Sequence, residues 1–253
     1  MKTYILLFIA LMFSTMANAS TATTGSSKYN DHAKEIMLKR FDSVKADVYH
    51  ASVTTGVDMT ELIAIGSLES KLQPKAKNPS STAAGVLQYT NGTWKHKRKQ
   101  YAKELGIPAN VHQSNQKANL LIGGMDLQET KERLIARTWL TKETLTLGDV
   151  YLSHFLGEDG AVKVINSNSY KPINQIVSIH RGNNYYYKPN GKYRTAREMR
   201  QHMNQLVNEE IKVYQLAITE YQIERVFAPV YNVASALKDS QEFVAAIPKR
   251  FAI

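Results

Sequence analysis

Glu69-Ser70-Lys71-Leu72-Gln73-Pro74, then Asn78-Pro79-Ser80-Ser81-Thr82-Ala83-Ala84-Gly85-Val86-Leu87-Gln88-Tyr89, then Thr93-Trp94, is the stretch that decides how this chain reads. A carboxylate closes an apolar helix, and a loop of small residues returns to a Gly-Val-Leu-Gln segment. A lone acid opposite a polar, glycine-bearing loop is what one general acid/base needs to cleave a glycosidic bond. The competing reading of Glu69 is an ordinary solvated helix residue.

Upstream, Asp58 can start a helix with Thr60 in its first turn, presenting Leu62, Ile63, Ile65, Gly66 and Leu68, and Pro74 is expected to stop it. Glu69 then lies at the C-terminal end, where the helix dipole disfavours a carboxylate. Partial burial disfavours the charged form as well, so an enclosed Glu69 would have a raised pKa, the direction a general acid needs. An earlier helix is expected between Asn30-Asp31 and Gly56, carrying Ile36, Met37, Phe41, Val44, Val48 and Tyr49 at helical spacing.

Helical periodicity returns over 94–105, 113–134 and 147–165, and a last long helix is expected from Thr195 to Val226, broken by Pro229. Residues 166–194 are polar and aromatic, with a Lys188-Pro189-Asn190-Gly191-Lys192 turn. Few segments alternate as strands and there is no internal repeat, so the expected class is mainly α.

The first residues read as an export signal. Lys2 precedes the apolar run from Ile5 to Phe13, and Ala17-Asn18-Ala19 precedes Ser20. The run is well short of the ~20 residues that span a bilayer, so cleavage near Ala19-Ser20 is expected rather than a membrane anchor. This implies a periplasmic or exported protein with no transmembrane anchor after cleavage. Residues 20–29, rich in Ser, Thr and Gly, read as a flexible leader.

The chain carries a formal charge of +10, which falls by one to about +9 without Lys2. A basic exported protein favours anionic partners such as cell-wall polymer, acidic lipid or nucleic acid. There is no cysteine, which excludes disulfide scaffolds, thiol catalysis and Cys-containing zinc sites. The seven histidines, at 32, 50, 96, 112, 154, 180 and 202, form no metal-spaced pair. Gly-x-Gly-x-x-Gly, Walker, His-Glu-x-x-His and Gly-x-Ser-x-Gly patterns are missing, so neither a metal nor a cofactor is expected. Tyrosines and basic residues around 185–193 could stack on bases or on sugar rings, or form a packed aromatic corner.

Glu69-Ser70, the segment Ser80 to Tyr89 and Thr93-Trp94 together resemble the catalytic motif of soluble lytic transglycosylases, closest to the branch found in phages and conjugation systems. Asp149-Val150-Tyr151-Leu152-Ser153-His154-Phe155-Leu156-Gly157, with Gly160-Ala161, resembles that branch's helical motif. Asn184-Tyr185-Tyr186-Tyr187 through Thr195 resembles its aromatic segment. Val86 stands where Leu is commoner, and His154-Phe155 where many cellular members carry Ala-Tyr-Asn.

The resemblance implies a lysozyme-like, mainly α domain with a C-terminal helical extension, organised as catalytic domain 30–205 and helix and tail 206–253. It implies cleavage of peptidoglycan glycan strands. Glu69 would protonate the glycosidic oxygen and then act as base on the sugar's 6-hydroxyl, leaving a 1,6-anhydromuramic end. The neighbouring N-acetyl group would take the place of a second carboxylate. Ser80 or Ser81 is expected to bond the substrate or Glu69. Gln88 and Tyr89 are expected to line the cleft, and Gly85 to let backbone approach the sugar. Of the three tyrosines, Tyr186 is the one expected to face Glu69. His154 is either a substrate contact or a half-buried structural histidine. Glu61, Asp126, Asp149 and Glu158, the other acids in reach, are read as solvated helix charges.

Three rivals stay open on sequence: a goose-type hydrolase of the same bond, a non-enzymatic wall-binding component of an envelope machine, and a nucleic-acid binder supported by charge alone. The expected partners are peptidoglycan strands and subunits of a secretion or conjugation apparatus. Nucleic acid is not expected.

Overall fold

Asp58 accepts the Thr60 N–H at 2.6 Å, and from that cap runs the helix around which the core is built. The computed structural model describes residues 28–180 and 183–246, with side chains to residue 227. The expected signal segment 1–19, most of the leader 20–29 and residues 247–253 lie outside the described residues. Asp31 begins one compact unit.

Seven α-helices are described: α1 (Asp31–Thr55), α2 (Met59–Ser70), α3 (Asn91–Tyr101), α4 (Gln116–Arg137), α5 (Leu147–Leu156), α6 (Glu158–Asn166) and α7 (Ala196–Ala246). Two 3₁₀ turns, Ile173–Gln175 and Asn184–Tyr186, lie between α6 and α7. Among the described residues extended pairing is confined to isolated bridges, such as Lys77 with Ala84 and Tyr187 with Tyr193. The protein is mainly helical.

α2 is buried nearly all round: Met59, Leu62, Ile63, Ala64, Ile65, Gly66 and Ser67 are all in the interior. A helix apolar on every side must be covered on every side. α1 and α7 pack along it, and α4 touches it. α7 presents Met199, Met203, Leu206, Val207, Tyr214 and Ile218 at three- and four-residue steps. Beyond them Ile223, Val226 and Phe227 are exposed, so α7 leaves the core as an extension.

The loop after α2 docks through its Val-Leu pair. A Cβ on Gly66 of α2 would lie 2.8 Å from Val86, and one on Gly123 of α4 would lie 2.0 Å from Leu87. The two glycines are therefore the sockets for Val86 and Leu87, both essentially fully buried. This is why a small-residue loop can sit across the end of the α2 helix.

The structure differs from the periodicity reading at three places. α3 begins at Asn91 rather than Trp94, because Thr90 accepts the Thr93 N–H and caps the helix earlier. The expected helix 147–165 is two helices, since Gly157 takes a left-handed φ of 72° between α5 and α6. α7 continues through Pro229 to Ala246. Proline removes one ladder hydrogen bond and crowds the carbonyl four residues back, a cost that the helix-favouring Ala228, Ala234, Ala236 and Leu237 around it help to offset.

Candidate active site

α2 ends one residue after Glu69, and the ending itself is unusual. Lys71 and Leu72 take left-handed φ values of 54° and 58°, and their N–H groups close the helix onto Gly66 and Ser67 carbonyls. Two consecutive non-glycine residues in that region cost on the order of 1–2 kcal/mol each. They are held by burial of Leu72 and by an ion pair, Lys71 Nζ to Glu210 Oε1 at 2.9 Å. Glu210, on α7, is fully buried, and Ser67 Oγ donates to its Oε2 at 2.6 Å. Ser67 Oγ also lies 2.9 Å from the Tyr214 hydroxyl. Sequence reading missed this clamp, because a Glu within a long amphipathic helix carries no local signal of burial.

Glu69 opens into a cleft of about 310 Å³ that also holds Gln88, Tyr89, Lys97, Asp126, His154 and Glu158. The residue keeps part of its surface in the cleft while its carboxyl is surrounded by protein. Burial pushes its pKa up to about 7. Among the described residues no hydrogen bond or ion pair reaches this carboxyl.

The other two carboxylates in the cleft are fully occupied. Asp126 Oδ1 lies 2.5 Å from Lys97 Nζ, and its Oδ2 accepts the Tyr89 hydroxyl at 2.8 Å. Glu158 Oε2 lies 2.8 Å from Arg133 Nε, and its Oε1 pairs with Arg137. Lys97 also pairs with Glu129 at 3.1 Å. Burial alone would raise the Glu129 pKa, but hydrogen bonds from Tyr101, Gln100 and Lys97 bring it down to about 2. The expectation of solvated helix charges is thus corrected for Asp126 and for Asp149, which is buried and forked by Arg200. Glu61 pairs with Lys131 and is partly exposed. Lys97 of α3, Asp126, Glu129 and Arg133 of α4 and Glu158 of α6 neutralise one another in a partly buried network, which single-residue reading does not foresee.

Of the residues singled out by sequence, Gln88, Tyr89 and His154 lie in the cleft with Glu69. Gln88, at a φ of 49°, turns its amide N–H back to the carbonyls of Ala76 and Gly85 at 3.2 and 2.8 Å, so it braces its own loop. Burial pulls the His154 pKa down, against the opposing pull of Asp126, which favours a neutral imidazole. Burial likewise raises the Tyr89 pKa, with Asp126 adding to it.

Ser80 and Ser81 are exposed and are not among the residues lining the cleft. Ser80 bonds Asn78 Oδ1 through N–H and hydroxyl, and Ser81 Oγ accepts the Ala83 N–H at 3.2 Å. Their placement gives them a part in shaping the loop. Gly85, φ +85°, is buried, and a Cβ there would lie 2.4 Å from the Gln113 carbonyl and 2.6 Å from Asn119. The close approach it permits is to α4 and the segment before it, not to the cleft. Asn119 completes that seam: it accepts the Leu87 N–H at 2.9 Å and donates to Gln113 O at 2.9 Å.

Tyr186 is 2 % exposed and lines a separate concavity with Phe155 and His180. The expectation that it faces Glu69 is not met. Its neighbour Tyr185 is the tyrosine of the triplet coupled to Glu69: burial first, then the negative field of Glu69 and Glu210, raises its pKa. The helical turn Asn184–Tyr186, capped by Asn183, brings both adjacent rings against Phe155, with centroids 5.5 and 5.2 Å away. Tyr151, also raised by burial and then by Glu69, was not singled out from the sequence.

A helical domain whose buried central helix delivers a single unpaired acid to a cleft is consistent with the lysozyme-like helical class of SLT domains. Residues 48–141 match the family model described as Transglycosylase SLT domain. The match runs from the end of α1 through Glu69 and the loop to the start of the α4–α5 connection. It supports a transglycosylase kind of enzyme acting on peptidoglycan, and hence outside the cytoplasm. His154 and the tyrosine triplet lie beyond the matched residues.

Proposed function

We propose that this protein is a peptidoglycan lytic transglycosylase that cleaves the MurNAc–GlcNAc β-1,4 bond and leaves 1,6-anhydro-MurNAc ends. One observation carries this reading: of the carboxylates in the cleft, Glu69 alone has both oxygens unoccupied, while Asp126 and Glu158 each have both engaged. A two-carboxylate glycosidase needs a second group free to attack or to activate water. Here the second pair of acids is bound to Lys97, Tyr89, Arg133 and Arg137, so the substrate's own groups are left to supply that function.

In this mechanism Glu69, uncharged up to about neutral pH, donates its proton to the glycosidic oxygen as the C1–O bond breaks. The substrate N-acetyl carbonyl stabilises the cationic C1. Glu69, now a carboxylate, takes the proton of the muramyl 6-hydroxyl as that oxygen bonds to C1. Proton and electron pair balance, and no water is consumed. The low-dielectric setting favours neutral Glu69 before the step and restores it afterwards. Ser153, His154, Gln88 and Tyr89 form the walls against which the sugars would lie.

The hydrolase of the same bond is the second reading, since the free carboxyl of Glu69 could equally activate a water admitted to the cleft. Mass spectrometry of digested peptidoglycan separates the two. Anhydro ends carry the lyase, and reducing ends on all products sink it. A Glu69→Gln protein that clears cell walls as well as the parent would sink both in favour of a wall-binding component. We further propose that the activity opens the wall locally for a secretion or conjugation apparatus, resting on the export signal read in residues 1–19 and on the resemblance of 149–157 and 184–195 to that branch. Co-purification with envelope-spanning subunits tests it, and unimpaired function in cells lacking any such apparatus would overturn it.

A further inference from the structure

A second groove, about 450 Å³ in volume, lies outside the Glu69 cleft between the exposed rings of Trp139 and Tyr170. Trp139 is 58 % exposed and Tyr170 75 %. Leaving two large aromatic rings in water forgoes the gain from burying them. Trp139 is nonetheless held in one orientation. Its indole N–H donates to the Ile165 carbonyl at 2.8 Å, and the Arg200 guanidinium lies 5.0 Å from its ring centroid. Arg200 is itself fixed by a two-pronged bond to buried Asp149, at 2.7 and 3.0 Å. One edge of the indole is spent on a carbonyl and its ring is braced by a cation. The rest is offered to solvent as a rigid platform.

The backbone that carries Tyr170 is tied to the start of α7. On either side of Tyr170, Ser169 O accepts the Arg197 N–H at 3.0 Å and Lys171 O accepts the Ala196 N–H at 2.9 Å. Along the floor, Arg197, Gln201 and Asn204 of α7 stand at i, i+4 and i+7, on one helix face. They bring one exposed guanidinium and two amides to the same groove. Among the described residues the Arg197 guanidinium has no acidic partner.

A held indole and an exposed tyrosine ring beside a row of planar polar groups suit a particular ligand chemistry. A pyranose has an apolar C–H face, which packs on an aromatic ring, and an edge of hydroxyl and acetamido groups that pair with amides. Stem-peptide carboxylates on a muramyl sugar would meet Arg197. We propose that this groove is a second peptidoglycan-binding site, which holds a glycan strand away from the bond being cut. The inference rests on the reading of the protein as a peptidoglycan enzyme. α5 ties the two sites together: Thr146 and Asp149 near its start line the groove, while Ser153 and His154 near its end line the cleft. Eight helical residues span about 12 Å, so one polymer network can engage both sites and gain avidity without new affinity at either.

The test is retention of the full chain on insoluble peptidoglycan, in a Glu69→Gln background so that the polymer is not digested. Tyr170→Ala combined with Arg197→Ala is expected to lower retention about tenfold with an unchanged melting temperature, since both residues are exposed. Trp139→Ala is expected to act in the same direction. Equal retention of parent and variants overturns the proposal, as does a parent that is not retained at all. A parallel arm uses vesicles of anionic phospholipid: loss of vesicle binding with peptidoglycan retention intact assigns the groove to a membrane surface and also overturns it. Product analysis of the unmodified protein is read separately. Anhydro products with variant-insensitive retention remove only the second site, whereas retention lost in the variants with no cleavage by the unmodified protein removes the proposed reaction and leaves the site.

Discussion

The Lys71 ammonium lies 2.9 Å from the carboxylate of Glu210, a side chain with no solvent exposure, and so α7 grips the end of the helix that carries Glu69. Removing one partner of a buried pair leaves the other uncompensated, which costs about 3–5 kcal/mol when both are enclosed. Lys71 is partly exposed, so Lys71→Ala is expected to cost about 2–3 kcal/mol in urea denaturation. Lys71→Gly loses the same ion pair but relieves the left-handed backbone. It should be the more stable of the two by about 1 kcal/mol. Equal stability of the two variants would show that the φ of 54° carries no strain.

Glu69 itself should make stability and activity fall together as pH rises. Its folded pKa of about 7 stands above its ordinary 4.5, so the folded state holds a proton that the unfolded chain has lost. Between those values stability contributed by this group falls as pH rises, and the full cost is present above about pH 7. Glu69→Gln is therefore expected to be the more stable protein at pH 8, by at most about 3 kcal/mol, with the gap closing towards pH 4.5. Cleavage by the parent should decline as pH rises through 7, while the Gln variant loses on the order of a thousandfold in rate. A parent rate that climbs from pH 6 to 8 would remove Glu69 as the acid.

The Asp126 carboxylate is the hub of the cleft's charge network, and removing its charge should be felt by Lys97, which is 7 % exposed. Glu129 remains as a second partner at 3.1 Å. Asp126→Asn is therefore expected to cost about 2 kcal/mol rather than the full price of an orphaned buried charge. Thermal unfolding of the variant checks this. A neutral effect would mean that Glu129 alone satisfies the lysine.

The loop seam makes a sharper prediction. Gly85→Ala places a methyl 2.4 Å from the Gln113 carbonyl at a φ of +85°. Neither the backbone nor the Asn119 amide can yield cheaply, since Asn119 also holds Leu87. A loss of about 3 kcal/mol or more is expected, with activity falling as the loop shifts. Asn119→Ala should reproduce part of that loss, because it leaves the buried Leu87 N–H and Gln113 carbonyl without a partner.

The fold was legible where local chemistry repeats. Apolar spacing located α1, α2 and α4, and the Asp58 cap lay in plain view ahead of Thr60. Glu69 could be placed because Pro74 and a polar loop bracket a helix end. What escaped the sequence is what depends on long-range pairing. Glu210 lies 139 residues from Lys71, Asn119 lies 32 from Leu87, and Asp149 lies 51 from Arg200. No window of local periodicity contains both members of such pairs. Adjacent tyrosines posed the same difficulty, since a single 3₁₀ turn decides which ring faces which cavity.

That turn carries the last prediction. Tyr185 lies in the electric field of Glu69, whereas Tyr186 lines another concavity and contacts the backbone at His180. Tyr185→Phe keeps the ring against Phe155 and His202 but removes the hydroxyl. It is expected to lower the cleavage rate about tenfold, acting on kcat more than on KM, because a hydroxyl within the field of the acid matters most as charge develops. Tyr186→Phe keeps its ring packing and should change the rate by less than about twofold, at a stability cost of about 1 kcal/mol for the lost hydrogen bond. Steady-state kinetics on soluble peptidoglycan fragments distinguishes the two. If Tyr186→Phe proves the slower variant, the tyrosine that acts with Glu69 is not Tyr185.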